Sequence, residues 1–152
     1  TPVISTDRTY FNWQLNYQAL SWLSLRSRIY LIDRKAEGDR QYGYFIGQDF
    51  VFRPENAKYS LTFRYAMFRT DAWDARIYVY ENDLPYTFSV PAFNGAGSRF
   101  YALFKLSTLG NADIYLRYAL THYTDRTEIS SGPDLIEGNN KSDFKVMLHL
   151  NF

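Results

Sequence analysis

Lys141-Ser-Asp-Phe-Lys-Val-Met-Leu-His-Leu-Asn-Phe152 ends the sequence, and its spacing decides the fold. Phe144, Val146, Leu148, Leu150 and Phe152 share one face, and Asp143, Lys145, Met147, His149 and Asn151 share the other. A period of two is that of a β-strand with one apolar face. The ladder runs to a final aromatic residue, where a soluble domain gains little because terminal residues usually fray into water.

The same period recurs upstream. Phe11, Trp13, Leu15 and Tyr17 alternate with Tyr10, Asn12, Gln14 and Asn16. Leu23, Leu25, Ile29 and Leu31 oppose Ser24, Arg26, Arg28 and Tyr30, and Asp33–Arg40 reads as a polar turn. Over 41–53 the alternation weakens, and a bulge at Gly47-Gln-Asp49 is expected to reset it. Residues 59–69, 75–82, 99–107 and 113–123 alternate again, with Ile77 and Val79 set against Arg76, Tyr78 and Tyr80. Turns are expected at 54–57, 71–74 and 108–111, with long connections at 83–98 and 124–140. The count is about eight strands, with no helix pattern.

Composition agrees with an all-β chain. Its 152 residues suffice for one domain or a small barrel, and residues 1–152 are taken as a single unit. Aromatics make up 19%, including 14 Tyr, and Tyr and Phe favour strands. No run of about 18 apolar residues exists, which excludes a transmembrane helix but not spanning strands. A net charge of +1 argues against a general nucleic-acid binder. Cysteine is absent, so disulfide and thiol chemistry are excluded. Arg outnumbers Lys twelve to five, and Arg suits paired, partly enclosed sites.

Alternation alone leaves open which face meets water. In a soluble lipocalin-like barrel the apolar face is the core and encloses an apolar ligand. In a membrane barrel the apolar face meets lipid and the polar face lines the interior. The strand lengths and the lack of mid-strand charge on the apolar face favour the membrane barrel, since a midplane charge costs about 2–4 kcal/mol. The expectation is therefore an antiparallel up-and-down transmembrane β-barrel, complete or the C-terminal part of a larger one. The apolar ladder ending at Phe152 is similar to the assembly signal of bacterial outer-membrane barrels. That likeness implies an outer-membrane location, with membrane lipid and the barrel-assembly machinery as partners.

A second resemblance rests on loops. Glu81-Asn-Asp-Leu-Pro85 and Ser131-Gly-Pro-Asp-Leu-Ile-Glu-Gly-Asn139, with the closing strand, resemble the C-terminal region of large Bacteroidota outer-membrane proteins. Some of these are described as helix-hairpin-helix (ComEA-like) proteins. Such relatives are several times longer, so the resemblance implies upstream barrel strands or other outer-membrane subunits as further partners. No helix-hairpin-helix segment is present here, and nucleic-acid binding is not carried over to any residue.

The expected interior carries Arg26, Arg28, Arg64, Arg76, Arg99, Lys105, Arg117 and Lys145 against Asp49, Asp113 and Asp143, an excess of five positive charges. Such a wall attracts anionic solutes or an acidic plug segment, unless the basic and acidic groups pair across strands to fill a narrow lumen. Tyr86, Phe88 and Phe93 make the 83–98 connection a candidate binding loop, folded over the barrel mouth or gripping a ligand. His122, Asp125, Ser130 and Ser131 raise a small outer-membrane hydrolase as a third reading, yet they form no convincing constellation. His149 stands apart from other ligand types, and the acidic residues of 125–143 match no calcium-loop spacing, so no metal or cofactor is assigned. These residues favour a pore, transport component or surface-binding scaffold over an enzyme.

Overall fold

The computed structural model describes residues 6–36, 38–108 and 112–150. Seven long strands form one antiparallel meander: β1 (Thr6–Leu20), β2 (Leu23–Ala36), β3 (Asp39–Phe52), β4 (Tyr59–Thr70), β7 (Ala96–Ser107), β8 (Ala112–Tyr123) and β11 (Asn140–Leu150). Two-residue strands β5 (Ile77–Tyr78) and β6 (Ala92–Phe93) pair with each other, as do β9 (Glu128–Ile129) and β10 (Ile136–Glu137). Among the described residues there is no α-helix, only 3₁₀ turns at Trp73–Ala75 and Gly132–Asp134.

The expected eighth strand at 75–82 is not part of the sheet, because β4 pairs directly with β7 from Tyr59↔Leu106 to Arg69↔Ala96. Among the described residues the sheet does not close into a barrel either. The strand order leaves β1 and β11 as edges, each hydrogen-bonded on one side alone. The bulge expected at 47–49 is absent as well. β3 keeps unbroken register with both neighbours, so Asp49 stands opposite Arg26 on β2 and Arg64 on β4. The 33–40 segment is mostly strand, with β2 and β3 paired out to Ala36↔Asp39; Glu37 lies outside the described residues.

Removing a strand from the count also rearranges the connections. The ends joining β1 to β2, β3 to β4 and β7 to β8 lie at one end of the sheet, where β11 finishes, and each link is six residues or fewer. The links 37–38, 71–95 and 124–139 lie at the other end, and two of them are long. The expected turn at 54–57 therefore shares the end of β11. Leu109, Gly110 and Asn111 lie outside the described residues.

One face of the sheet is bare and apolar. Phe11, Trp13, Leu15, Leu31, Ile46, Tyr65, Met67, Phe144, Val146, Leu148 and Leu150 are all exposed on it. Aromatic rings line it toward the short-turn end: Trp22 meets Phe52 edge-on at 5.1 Å, and Phe50 stacks on Phe63 at 4.7 Å. Mid-face, Ser27 donates to Gln48 Oε1 at 2.6 Å, so these two polar groups satisfy each other. By strand parity the described charges on this face are Asp7, Asp33, Lys35, Arg40 and Arg69, all in the rungs at the loop end. The opposite face holds the core.

Candidate functional site

Residues 77–93 form a β-hairpin laid along the covered face of the sheet. Ile77↔Phe93 and Tyr78↔Ala92 pair, Val79 N–H donates to Pro91 O at 3.4 Å, and Glu81 bridges Ser89. The reversal is Leu84-Pro85-Tyr86-Thr87, closed by Thr87 N–H to Leu84 O at 3.1 Å. Pro85 presets the first central residue, while Tyr86 takes φ 63°, the conformation a type II turn requires and one that favours glycine. The hairpin leaves the sheet at Thr70 and returns at Ala96, and its tip brings Tyr86 to 5.8 Å from His149 near the end of β11. It therefore runs the length of the sheet, from the long-loop end to the short-turn end.

Alternation within the hairpin sets what each face meets. Ile77, Val79, Glu81 and Asp83 point at the sheet, whereas Tyr78, Tyr80, Tyr86, Phe88 and Val90 are exposed. Near the loop end the contact is apolar: Ala75, Ile77, Val79 and Phe93 pack with Ile32, Phe45, Ala66 and Phe68 in one buried cluster. Gly43 makes the room, since a Cβ there would lie 2.9 Å from Ala75 O and 2.7 Å from Ile32 Cγ2.

Deeper along the hairpin the contact becomes ionic. Glu81 is fully buried and receives Nε and Nη2 of Arg99 at 3.0 and 2.8 Å and Nη2 of Arg117 at 2.7 Å. Arg117 also donates to Asn82 O at 3.2 Å and to Asp143 at 2.9 Å. Lys145 donates to Asp83 at 2.8 Å. On the other flank Asp49 holds Arg64 through both carboxylate oxygens, and Arg64 Nη1 donates to Tyr80 O at 2.9 Å. Tyr101 stands between the flanks, with Arg64 at 5.1 Å and Arg117 at 5.6 Å from its ring. Among the described residues no buried side-chain polar atom lacks a partner. Bidentate Arg–carboxylate geometry of this kind offsets the desolvation of buried charge.

The structure brings most of the sequence-picked charges onto this face. Arg28, Asp49, Arg64, Arg99, Arg117, Asp143 and Lys145 form the ionic layer. Arg26 holds Asn16 at 2.8 Å, and Lys105 pairs with Asp113 at 3.0 Å nearer the short-turn end. Arg76 does not belong with them: it lies on the loop, donating to Tyr78 Oη and Trp73 O. Ile77 and Val79, expected on the outer apolar face, are buried on the inner one. Phe93 joins the core, while Tyr86 and Phe88 remain 89% and 79% exposed. Phe144, Val146, Leu148 and Leu150 line the bare face; Phe152 lies outside the described residues.

Glu81 and Asp83 were missed by the sequence reading. The signal was present in the spacing, because they continue the parity of Ile77 and Val79, and a lipid-facing row would not end in two carboxylates. With these two included and Arg76 removed, seven basic residues of the expected interior face five acidic ones.

The remaining candidates are tied elsewhere. His122 Nδ1 lies 2.8 Å from Asn140 Oδ1 on the bare face, and Asp125 accepts from Arg126 Nε and Nη2 at 3.0 Å each. Arg126 holds the Asp125 carboxyl below the ordinary carboxylate range, with further lowering by the Ala96 backbone. Among the described residues no three His, Cys, Asp or Glu converge as metal ligands. Comparison with protein-family models, curated proteins and solved structures finds no match to this chain.

Proposed function

We propose that this chain is the wall of a bacterial outer-membrane β-barrel, acting as a pore or transport component whose lumen holds the 77–93 hairpin. One observation carries the reading: the sheet is inverted relative to a soluble β-domain. Its uncovered face is apolar and charge-free except at the loop-end rungs, while its covered face holds the charges. A large exposed apolar area is a liability in water and a requirement in lipid. Aromatic rings toward the short-turn end suit one membrane interface, and short turns at one end with long loops at the other match the usual polarity of such barrels.

On this reading Phe144, Val146, Leu148 and Leu150 meet lipid and belong to the segment that assembly machinery engages. The likeness to Bacteroidota outer-membrane proteins gives the same location. A surface-binding scaffold remains the reading if the hairpin never leaves the lumen. The chain is expected to fold as a monodisperse species only with detergent or lipid. Refolding to a monodisperse, β-rich protein in plain buffer would overturn the membrane reading and return the soluble barrel.

A further inference from the structure

The hairpin neutralises the wall unevenly. Against β7, β8 and β11, its Glu81 and Asp83, with Asp143, balance Arg99, Arg117 and Lys145 one for one. Against β2–β4 the hairpin offers Arg64 only the Tyr80 carbonyl. There Arg28 and Arg64 share Asp49, which is already bound through both oxygens to Arg64, and Arg26 donates to the neutral Asn16 Oδ1 at 2.8 Å. Arg28 is 5% exposed, yet its contacts are long: Nε to Asp49 at 3.3 Å and Nη1 to Tyr30 Oη at 3.5 Å. Among the described residues its Nη2 has no acceptor. Since no buried polar atom among the described residues lacks a partner, this nitrogen still reaches solvent; a guanidinium whose carboxylate is already bound through both oxygens to a second guanidinium keeps a donor free for an anion.

The same flank is the open one. β1 is exposed from Thr6 to Gln18, and its covered-face positions Asn12, Gln14, Asn16 and Gln18 form a ladder of side-chain amides beside Arg26 and Arg28. A cavity of about 380 Å³ lies at its lower end, lined by Asn16, Gln18, Ser24 and Arg26 and, on its apolar side, by Tyr17, Leu25 and Val51; Arg28 lies beyond it on the same face. The Gln14 and Gln18 amides already donate, to Asn16 Oδ1 and to the Leu20 carbonyl, so Asn12 and Asn16 are the amides left to donate without adding charge, which suits a site that holds an anion loosely.

We infer that the lane between the hairpin and β1–β2 binds small oxyanions, phosphate or carboxylate, with Arg26 and Arg28 as its charged groups and the Asn12 and Asn16 amides as neutral donors. The inference rests on reading the covered face as a lumen and names the solute class that this lumen favours. Arg28 is the inner point of the site, and Arg26, held at one edge by Asn16, is its entrance.

Thermal unfolding with inorganic phosphate, against chloride at matched ionic strength, tests it. The protein is used in detergent or in plain buffer, whichever keeps it folded, so the result is independent of the membrane reading. Phosphate is expected to raise the melting temperature of the unmodified chain. The double variant Arg26→Gln with Arg28→Gln should bind phosphate about tenfold more weakly or worse, the scale of losing a charged partner. Asn16→Asp places a carboxylate beside Arg26, and it should raise the melting temperature without phosphate while abolishing the phosphate response. An equal response in chloride, or one unchanged in both variants, would overturn the site.

Discussion

Glu81 shows how one residue can fix the position of a whole segment. Its carboxylate has no exposed surface and accepts from two guanidiniums belonging to adjacent strands. Replacing it with Gln removes the charge and keeps the shape, leaving Arg99 with no carboxylate partner among the described residues. Breaking one partner of a buried pair typically costs about 3–5 kcal/mol. Arg117 retains Asp143 and Asp83, so the lower end applies, and Glu81→Gln should destabilise by about 3 kcal/mol. Asp143 is 45% exposed and screened by solvent, so Asp143→Asn should cost about 1 kcal/mol or less. Denaturant unfolding of the two variants tests the order. Equal losses would mean that the hairpin is not held by its carboxylate.

At the scale of elements, the strands were legible and the hairpin was not. Alternation located the middle of every long strand, where each keeps one apolar face, and it failed over 33–40, where charges on that face made paired strand read as a polar turn. The same rule misplaced 75–82, since Ile77 and Val79 alternate as well in a hairpin packed on the covered face as they would in the sheet itself. Periodicity reports that two faces differ, and it is silent on what each face meets. Glu81 and Asp83 were the contrary signal, because they continue the parity of Ile77 and Val79 and put two carboxylates on a row that elsewhere stays apolar. The inner charges were legible as a set, but their partners were not, since Glu81 and Asp83 reach the wall only through a fold-back.

The second long loop, 124–139, is fastened by chemistry that has a pH signature. Arg126 bonds Asp125 and donates to Asn94 O at 3.1 Å, beside Gly95 at the foot of the hairpin. The Asp125 pKa is lowered from 3.8 in the folded chain. A lowered carboxyl adds stability that is complete above its unfolded value and is lost as pH falls through its folded value. The fastening should therefore persist from neutral pH down to about pH 4 and fade only in stronger acid. The ¹³C shift of the Asp125 carboxyl, followed by NMR, should titrate below 3.8. A midpoint at or above that value would mean that Arg126 does not hold it. In Asp125→Asn the Asn94 and Gly95 resonances should lose this acid step.

For the molecule as a whole, strand number sets strand direction. In a meander of seven strands the first and last run the same way, so β1 and β11 both descend from the long-loop end. Joining them directly would make one parallel seam in an otherwise antiparallel wall, with the slanted and slightly weaker hydrogen bonds of parallel pairing. An all-antiparallel closure between these edges takes an odd number of further strands. The hairpin agrees with an open seam, because Tyr78, Tyr80 and Phe88 on its far side are exposed rather than roofed by β1 or β11. The absence of cysteine makes this measurable. Ala102→Cys with Tyr118→Cys places two thiols directly opposite across β7 and β8, and this pair should oxidise to an intramolecular disulfide. Leu15→Cys combined in turn with a cysteine at Phe144, Val146 or Leu148 should not, since β1 and β11 are not hydrogen-bonded neighbours. Ready formation of any such seam disulfide within one chain would show that seven strands close on themselves, and the lane beside β1 would then be a sealed interior.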